Sequence, residues 1–412
     1  MFSLENEEKR IKQSLFIILA LFFIINLGVV IKYGSGNFLG SIEKMDNDDV
    51  KYIRSAWTLM DTGKFTYHKV DEPTVYIMPG LTFVLSFFML IFGKTNGVLA
   101  FRIFQVILQT LSIYLLFLIG RKLFNSKIAI VACVLNSLYV AEYFVSTIIL
   151  TESIFKFLLL LLVYISIYAV EEKKTLYYIL GGLVWGITCL FRPTIAAYPI
   201  VILIMWLVKK YSFKDMVKYT LITSAVFCVI LSPWWIRNYK VYDRFIALTL
   251  STGNPFLQGT YVNYDQTKDY TPYKSRDTVI ETNEVEIETG IYRLKTYARK
   301  EPLKYLYWYT IGKTIKLWNM PFYWVEVLGV SFVSAEVFHL LIIGTGLYGI
   351  IRAFKKKDMD YLVAFLVIAY FNVMHLPYYT FSRYSYPVMP LVMLFSSYVI
   401  VNRYSKEKQK AV

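Results

Sequence analysis

The run SLFIILALFFIINLGVVI, from Ser14 to Ile31, is the first of several long apolar stretches in this chain. Its length is close to the roughly 20 residues that an α-helix needs to cross a bilayer. The basic residues Lys9, Arg10 and Lys12 precede it, and no small-residue cleavage site follows it. The run is therefore predicted to be an uncleaved first membrane helix rather than a signal peptide.

Further apolar runs follow along the whole chain. They lie near residues 77–93, 98–119, 128–150, 153–170, 176–191, 194–208, 217–233, 330–351, 360–376 and 386–402. Hydrophobic residues make up 57% of the 412 residues, against about 45–50% in soluble domains. Many tyrosines lie near the ends of the runs, as is typical of membrane interfaces. The composition predicts an all-α polytopic membrane protein.

The formal net charge of +15 comes largely from basic clusters beside the apolar runs. These clusters are Lys9–Lys12, Lys173–Lys174, Lys209–Lys210, Lys355–Lys357 and Lys406–Lys410. Such clusters mark the cytoplasmic side of membrane helices, so both termini are predicted to be cytoplasmic, and no nucleic acid is expected as a partner. A bacterial plasma membrane is the predicted location, although an endoplasmic reticulum membrane satisfies the same physics.

An odd number of crossings would place the two termini on opposite sides of the membrane. The link Gly120–Lys127 carries three basic residues and is therefore placed on the cytoplasmic side. With this link inside, one of the runs before it cannot cross the membrane, and the run 77–93 is predicted to be re-entrant or to lie on the interface. About ten crossings then remain. The stretch Glu301–Asn319 mixes lysines with aromatic residues and is predicted to be an amphipathic helix on the membrane surface.

This topology divides the chain into three parts. They are an N-terminal transmembrane catalytic module over residues 1–233 with its first external loop at 33–76, an external loop and interfacial helix over 234–329, and C-terminal transmembrane helices with a basic cytoplasmic tail over 330–412.

The first external loop contains an acidic cluster in SIEKMDNDDVKYIRSAW, from Ser41 to Trp57. Asp46 and Asp48 have the D-x-D spacing that suits a divalent cation, and carboxylates at this boundary are also candidate general bases. The alternative is structural, because Asp46 or Asp48 would cap the helix that follows. The three cysteines and three histidines are scattered, so they predict neither a disulfide framework nor a zinc site.

Glu152 opens the run at 153–170. An acidic residue within or beside a membrane helix is a functional candidate. Lys156 follows four residues later, however, at the favoured spacing for an ion pair along one helix. Both interpretations of Glu152 stay open on the sequence.

Three arginines are candidate ligands for a phosphate. Arg237 follows SPWWI, Arg383 lies in FSRYSYP, and Arg192 lies in FRPTIAAYP. The planar guanidinium group can give two parallel hydrogen bonds to phosphate oxygens. The alternatives are snorkelling toward lipid headgroups for Arg237 and Arg383, and hydrogen bonds to backbone carbonyls beside Pro193 for Arg192.

The order of these motifs resembles a known family. An acid-rich first loop, LTES at the start of a run, RPT, SPWWIRNYKVYDRF, and RYSYPVMP before the last run are similar to the GT-C membrane glycosyltransferases over residues 1–403. The most similar branch is the glycosyltransferase 39 and protein-mannosyltransferase-like group, which includes the aminoarabinose transferases of lipid A. The resemblance implies a GT-C-like helical bundle with external interfacial helices, a small external lobe and an active site on the outer face.

The resemblance also implies catalytic residues. In that family an acidic pair follows the first span, with a Tyr four residues and an Ala eight residues after the Asp. Asp48, Tyr52 and Ala56 fit this frame, and Asp49 takes the second acidic place. The resemblance therefore implies that Asp48 is the catalytic base, with Asp49 or Asp46 orienting it or binding a cation, and that Glu152 is a second acidic residue in a later external loop.

The resemblance further implies the partners. Arg237, and less directly Arg383, match positions associated with the phosphate of a lipid-linked donor. A His-Pro-Pro motif that the family often carries is reduced here to Pro79, and no counterpart of the external C-terminal domain of protein mannosyltransferases is evident. The implied partners are thus a polyprenyl-phosphate sugar donor and a cell-envelope glycan or lipid acceptor, within the bilayer.

The implied reaction suits these residues. One carboxylate base that activates the acceptor hydroxyl contributes on the order of 10²–10⁴-fold. Arginines, or a divalent cation as the one cofactor considered, stabilise charge on the departing phosphate. Direct displacement predicts inversion at the anomeric carbon.

Two other functions are compatible with the composition. A transporter or flippase of a lipid-linked or anionic solute would also need interfacial arginines and acids. Transporters often have inverted repeats and charges near the midplane, whereas no repeat is evident here and the candidate residues map to one surface. A non-catalytic scaffold of envelope assembly is the third interpretation.

Overall fold

The computed structural model describes residues 2–34, 36–355 and 359–410, with the backbone alone for 404–410. The α-helices of this part, in chain order, are α1 (Lys9–Tyr33), α2 (Asp48–Thr62), α3 (Gly80–Phe92), α4 (Lys94–Leu123), α5 (Ser126–Leu138), α6 (Ala141–Thr147), α7 (Glu152–Glu172), α8 (Thr175–Cys189), α9 (Pro199–Val208), α10 (Phe213–Tyr242), α11 (Gly253–Gly259), α12 (Val279–Arg293), α13 (Pro302–Tyr307), α14 (Lys313–Trp318), α15 (Phe332–Phe354), α16 (Leu362–His375) and α17 (Met389–Lys410). Of the predicted basic clusters, Lys356 and Lys357 lie outside the described residues.

Short helical turns connect several of these helices. Turns of 3-10 helix lie at Pro193–Ile195, Val262–Tyr264, Ser382–Tyr384 and Tyr386–Val388, and π-helical turns lie at Leu294–Ala298 and Trp308–Gly312. Outside the helices, one isolated β-bridge joins Thr66 and Pro73.

The described residues contain six helical segments that are long and apolar enough to cross a membrane. These are α1, α4, α7, α10, α15 and Ser382–Arg403, and the pair α5 and α6, bent by 55°, is a seventh candidate. Shorter apolar segments lie at Gly80–Phe92, Thr175–Cys189, Pro193–Val208 and Leu362–His375. The predicted all-α, multi-pass membrane fold is confirmed, while the number of about ten crossings stays a prediction.

α3 is the helix that corresponds to the run at 77–93. It has 13 residues, so it is about 20 Å long and shorter than the roughly 30 Å hydrocarbon core. Its first residue, Gly80, donates its backbone N–H to the carbonyl of Leu190 at 2.8 Å. A Cβ at Gly80 would lie 2.6 Å from that carbonyl oxygen, so the close contact between α3 and the end of α8 requires glycine.

α7 lies at the centre of the bundle. Its most apolar window is 83% buried, whereas the corresponding windows of α1 and α10 are 28% and 17% buried. α4, α6, α8, α9 and α16 all pack against it. Because Glu152 is the first residue of α7, this helix places an acid in the middle of one end of the bundle.

We call this end the polar end and define it by residues 36–79, 190–198, 243–331 and 376–388. Backbone hydrogen bonds join its segments: Leu250 N–H bonds to the carbonyl of Val75 at 2.9 Å, and Tyr379 N–H to that of Pro255 at 2.7 Å. The polar end is therefore one connected surface built from segments that are distant in sequence.

The predicted amphipathic helix at Glu301–Asn319 differs in detail. It consists of α13, a π-helical turn and α14, and Lys304 and Lys316 are exposed as expected. Lys313 is fully buried instead. It donates to the carbonyl of Leu376 at 2.6 Å and lies 3.9 Å from the ring centre of Tyr309, so it ties this helix to the corner before α17.

Candidate active site

α2 places the acidic cluster at the polar end. The N-cap of α2 is Asn47, whose side chain accepts a hydrogen bond from the backbone N–H of Asp48 at 2.7 Å. Asp48 and Asp49 fill the first turn, where the helix dipole favours negative charge. The prediction that Asp46 or Asp48 caps this helix is therefore wrong, because Asn47, an equally good capping residue, lies between them.

Asp48 lies at the mouth of the site, with 41% of its side chain exposed. Its Oδ1 accepts a hydrogen bond from the hydroxyl of Tyr67 and its Oδ2 accepts one from Nη1 of Arg383, both at 2.8 Å. Partial burial alone would raise the pKa of Asp48, but Arg383 and the Tyr67 hydroxyl outweigh it and lower the pKa below its usual value. The carboxylate is therefore ionised at neutral pH.

Glu152 lies below Asp48 and is fully buried. Its Oε1 accepts a hydrogen bond from Nη2 of Arg192 at 2.7 Å and another from Nε of Arg383. Its Oε2 has no hydrogen-bond partner among the described residues. Glu152 is therefore inaccessible to a substrate and serves to hold two guanidinium groups in place.

The four residues form an alternating series, Asp48–Arg383–Glu152–Arg192, which we call the charge chain. The chain brings together four elements: the start of α2, the turn before α17, the start of α7 and the turn before α9. Its two acids and two bases balance in charge. Four of the six residues predicted as catalytic or phosphate-binding thus lie in one continuous set of contacts.

The predicted ion pair between Glu152 and Lys156 is wrong. Lys156 is fully buried and pairs with Glu142 on α6, and its Nζ also lies 3.2 Å from the hydroxyl of Tyr386. Tyr386 donates to Glu142 at 2.8 Å and accepts from Gln109 at 2.8 Å. The rule for pairs four residues apart describes solvent-exposed helices, whereas α7 is enclosed on all sides by other helices.

Asp49 and Asp46 do not reach the charge chain. Asp49 is fully buried, and its two oxygens accept the backbone N–H groups of Leu39 at 2.6 Å and Val50 at 2.9 Å. Burial raises the pKa of Asp49. Asp46 is exposed and accepts the backbone N–H of Ser41 at 2.8 Å. Both residues fix the loop before α2, and their predicted catalytic and metal-binding roles stay predictions.

The donor set for a divalent cation is incomplete. Asp48 is already bound to an arginine and a tyrosine, and Asp46 to a backbone N–H. Within residues 2–34, 36–355 and 359–410, no three His, Cys, Asp or Glu side chains come together as metal ligands. The side chains present therefore offer a divalent cation no complete set of ligands.

Arg237 lies apart from the charge chain, near the end of α10. It donates to the carbonyls of Thr74 at 2.8 Å and Phe65 at 3.4 Å, and it lies over the rings of Phe65, Trp234 and Tyr242. No carboxylate of the described residues lies within 4.0 Å of it, so its positive charge is not balanced by a neighbouring acid. It holds the loop at residues 65–79.

An apolar cavity of about 500 Å³ adjoins Arg237. It is lined by the end of α2, the start of α3, the end of α8 and the later part of α10, with Arg237 as its charged lining residue. Phe191 lines this cavity, and the next residue, Arg192, belongs to the charge chain. We call this cavity the apolar groove.

Tyr67 is a residue of the site that the sequence analysis did not single out. Its side chain is buried and lies 19 residues after Asp48, in an irregular loop. Arg54 fixes this loop by donating to the carbonyls of Tyr67 and His68, both at 2.9 Å. No local pattern in the loop indicates which of its tyrosines reaches the acid.

Comparisons with known proteins agree with this fold. Residues 71–236 match the family model described as dolichyl-phosphate-mannose-protein mannosyltransferase. This segment contains Glu152 and Arg192 and ends directly before Arg237. No sequence among the curated proteins matches the chain.

Solved structures of similar fold include the archaeal oligosaccharyltransferase AglB from Archaeoglobus fulgidus, in complex with an inhibitory peptide and a dolichol-phosphate. It has a TM-score of 0.57 and 13% identity, over 97% of this chain and 52% of that one. The Archaeoglobus fulgidus oligosaccharyltransferase tethered with an acceptor peptide has a TM-score of 0.57 and 12% identity, over 95% and 50%. This chain thus spans about half the length of those proteins.

ArnT from Cupriavidus metallidurans bound to undecaprenyl phosphate is a further match, with a TM-score of 0.45 and 12% identity over 93% of this chain and 77% of that one. The chain has the fold of the GT-C membrane glycosyltransferases, and its residues 71–236 form a protein-mannosyltransferase-like segment. The predicted resemblance to this group is confirmed.

The buried pair beside the charge chain gives a stability prediction. Lys156→Met leaves Glu142 as an unpaired buried charge and is expected to lower the free energy of unfolding by about 3–5 kcal/mol. The double variant Lys156→Met/Glu142→Gln is expected to recover most of this loss. Thermal unfolding in detergent micelles measures both.

The matched control is Lys69→Met, which removes an ion pair with Glu72 at the surface. The side chains of Lys69 and Glu72 are 58% and 47% exposed. Such a pair contributes roughly 0–1 kcal/mol. Equal losses for Lys156→Met and Lys69→Met would contradict the account of the buried pair.

Proposed function

We propose that this protein transfers a sugar from a polyprenyl-phosphate-linked donor to a cell-envelope glycan or lipid acceptor, with inversion at the anomeric carbon. The observation that carries the proposal is the position of Asp48, an ionised and partly exposed carboxylate, at the outer end of the charge chain. The apolar groove, whose lining residue Phe191 precedes Arg192 of the charge chain, has the size and lining for part of a polyprenyl chain.

Asp48 is the proposed general base. Its exposed position allows an acceptor hydroxyl to approach, and its carboxylate takes the hydroxyl proton as the oxygen attacks the anomeric carbon. The bond from that carbon to the phosphate oxygen breaks, and polyprenyl phosphate leaves with the bonding electrons. Attack opposite the leaving group inverts the anomeric configuration.

The charge chain links proton transfer to stabilisation of the leaving group. While Asp48 is ionised, it balances the positive charge of Arg383. When Asp48 takes the proton, Arg383 loses half of its counter-charge, and its positive field becomes available to the phosphate that is leaving. Preorganised charge of this kind acts without reorganisation during the reaction.

Arg237 is the proposed first ligand of the donor phosphate. It lines the apolar groove and has no acidic neighbour within the described part of the chain, so an anionic headgroup above a lipid tail would complete its charge balance. Arg192 contributes more indirectly, since its hydrogen bond to Glu152 fixes the acid that also orients Arg383.

The polar end is proposed to face the outside of a plasma membrane. The basic clusters at Lys173–Lys174 and Lys209–Lys210 lie at the opposite ends of α7 and α9 from the charge chain, as positive charge on the inner face requires. Both termini are then cytoplasmic.

Removal of the base is expected to abolish turnover. Asp48→Asn should lower the release of free polyprenyl phosphate by about 10²–10⁴-fold, because an amide cannot take the acceptor proton. The assay uses purified protein in liposomes with a panel of polyprenyl-phosphate sugars and a cell-envelope extract as acceptor. Asp61→Asn, an exposed acid later in α2, is the control. Equal release of polyprenyl phosphate by Asp48→Asn and Asp61→Asn would rule out Asp48 as the base.

The Tyr67 hydroxyl is expected to set the acid limb of activity. Because it lowers the pKa of Asp48, the base stays ionised to lower pH, and kcat/KM falls only as the pH drops through that lowered value. Tyr67→Phe should raise this pKa and move the acid limb to higher pH, by about one pH unit. A pH profile of kcat/KM measures the shift.

Tyr270→Phe, which alters an exposed tyrosine of the polar end, controls for a general loss of stability and should leave the profile in place. An acid limb that stays fixed in Tyr67→Phe, or moves to lower pH, would contradict the assignment of Asp48 as the titrating base.

Arg237 is expected to select the phosphate. Wild type should bind polyprenyl phosphate more tightly than the uncharged polyprenol, and Arg237→Leu should remove this preference while leaving polyprenol binding unchanged. Native mass spectrometry of the protein in nanodiscs with either lipid measures the preference. Arg244→Leu, which breaks an exposed pair with Glu284, is the control, and a preference that persists in Arg237→Leu would place the phosphate elsewhere.

A further inference from the structure

A second cavity, of about 320 Å³, lies on the other side of the loop at residues 65–79. We call it the polar cavity. The loop itself forms one wall with His68 and Tyr76, while α11 and α12 form the other with Asn254 and Glu286. In contrast to the apolar groove, most of its lining residues carry hydrogen-bonding groups.

Glu286 is the most unusual residue of this lining. It is only 8% exposed, and its Oε1 accepts hydrogen bonds from Nδ2 of Asn254 at 3.0 Å and from the hydroxyl of Tyr273 at 2.8 Å. No basic side chain of the described residues lies within 4.0 Å of it. A buried carboxylate without a cation is costly unless further donors reach it, and the cavity beside it is where such donors would enter.

Aromatic rings connect the polar cavity to Asp48. The rings of His68 and Tyr76 meet edge to face with centres 4.4 Å apart, and Tyr76 stacks on Tyr67 with centres 5.9 Å apart. Tyr67 in turn donates its hydroxyl to Asp48. One layer of rings therefore separates the polar cavity from the proposed base.

The charge of the lining disfavours an anionic ligand. Lys69 and Arg276 supply positive charge, whereas Glu72, Asp277 and Glu286 supply negative charge, and Lys69 is already paired with Glu72. Burial and the nearby Lys51 lower the pKa of His68, so it is neutral at neutral pH. The lining fits a ligand that is rich in hydroxyl donors, with or without an amine, and that has apolar C–H faces to set against aromatic rings.

We propose that the polar cavity binds the carbohydrate portion of the acceptor, with hydroxyl groups donated to Glu286 and a sugar face against Tyr76. This inference rests on the proposed glycosyl transfer. The loop at residues 65–79 then separates the two substrates: Phe65 and Pro79 line the apolar groove of the lipid donor, while His68 and Tyr76 line the acceptor cavity. Tyr67 belongs to the same loop and donates its hydroxyl to Asp48.

The test measures binding directly, so that it does not depend on turnover. Saturation-transfer-difference NMR is recorded on the purified full chain in detergent micelles with a panel of free mono- and disaccharides that includes neutral, amino and uronic acid members. A neutral or amino saccharide is expected to bind, and uronic acids more weakly. Glu286→Gln keeps a side-chain oxygen for the hydrogen bonds from Asn254 and Tyr273. It should raise the Kd of the saccharide about tenfold, because it removes the negative charge that strengthens the hydrogen bonds from the saccharide hydroxyls.

Glu284→Gln is the matched control, because Glu284 lies on the same helix, is exposed, and is absent from the lining. Tyr76→Leu is a second variant that should weaken binding by removing the ring. Binding of no saccharide in the panel, or equal Kd values for Glu286→Gln and Glu284→Gln, would overturn the proposal.

A competition experiment separates the acceptor from the donor sugar. Saturation with the polyprenyl-phosphate sugar that supports release in the turnover assay should leave saccharide binding in place. Displacement of the saccharide by that donor would overturn the proposal, since the cavity would then hold the donor sugar. If no donor supports release while saccharides bind through Glu286, the proposed transfer fails and the carbohydrate site stands.

Discussion

The polar end depends on Arg383, which forms ion pairs with two acids at once. One guanidinium group contacts both Asp48, 335 residues away in sequence, and Glu152, 231 residues away. Removing one partner from a buried ion pair leaves an uncompensated charge and costs about 3–5 kcal/mol. Glu152 is fully buried, so it requires its two arginines, and Arg383 in turn fixes Asp48 at the mouth. The buried Glu152 therefore fixes the position of the exposed carboxylate of Asp48 through Arg383.

The position of α7 makes this arrangement possible. It is the most enclosed of the long helices, and its N-terminus carries Glu152 where the helix dipole supports a negative charge. A second polar layer, of Glu142, Lys156 and Tyr386, lies one helical turn further along α7. Tyr386 follows Arg383 by three residues, so the same short turn before α17 takes part in both layers, and a change in one layer is expected to disturb the other.

The sequence predicted the fold well because the feature that determines it, the length and apolar character of each run, is local in sequence. Apolar runs of membrane-spanning length, with basic flanks, leave few alternatives to a helical bundle. The sequence also indicated Glu152, Arg192 and Arg383 singly, since each is a charged residue beside or between apolar runs, and it indicated Asp48 through the family resemblance. It could not predict that the four touch, because their contacts join helices that are distant along the chain.

The wrong predictions have the same origin. Spacing along α7 offers Glu152 as a partner for Lys156, yet inside a bundle the partner of Lys156 comes from another helix. The phosphate-binding role of Arg237 stays a prediction: Arg237 lies at the same boundary as Arg383, but it donates to backbone carbonyls of the loop at residues 65–79 rather than to the acids of the charge chain. The N-cap of α2 is Asn47 instead of an aspartate. Because Asn and Asp cap helices equally well, the sequence alone cannot tell which of several neighbouring Asn and Asp residues is the cap.

Chemical rescue of Asp48→Ala with sodium formate tests the central claim most directly. Formate is small enough to replace a missing carboxylate at the exposed mouth of the site. The account predicts that formate restores sugar transfer to Asp48→Ala in a concentration-dependent way, with the same inverted product, and does not restore it to Glu152→Ala, because Glu152 is buried and acts through the arginines. Full transfer by Asp48→Ala without formate, or rescue of Glu152→Ala instead, would contradict the account.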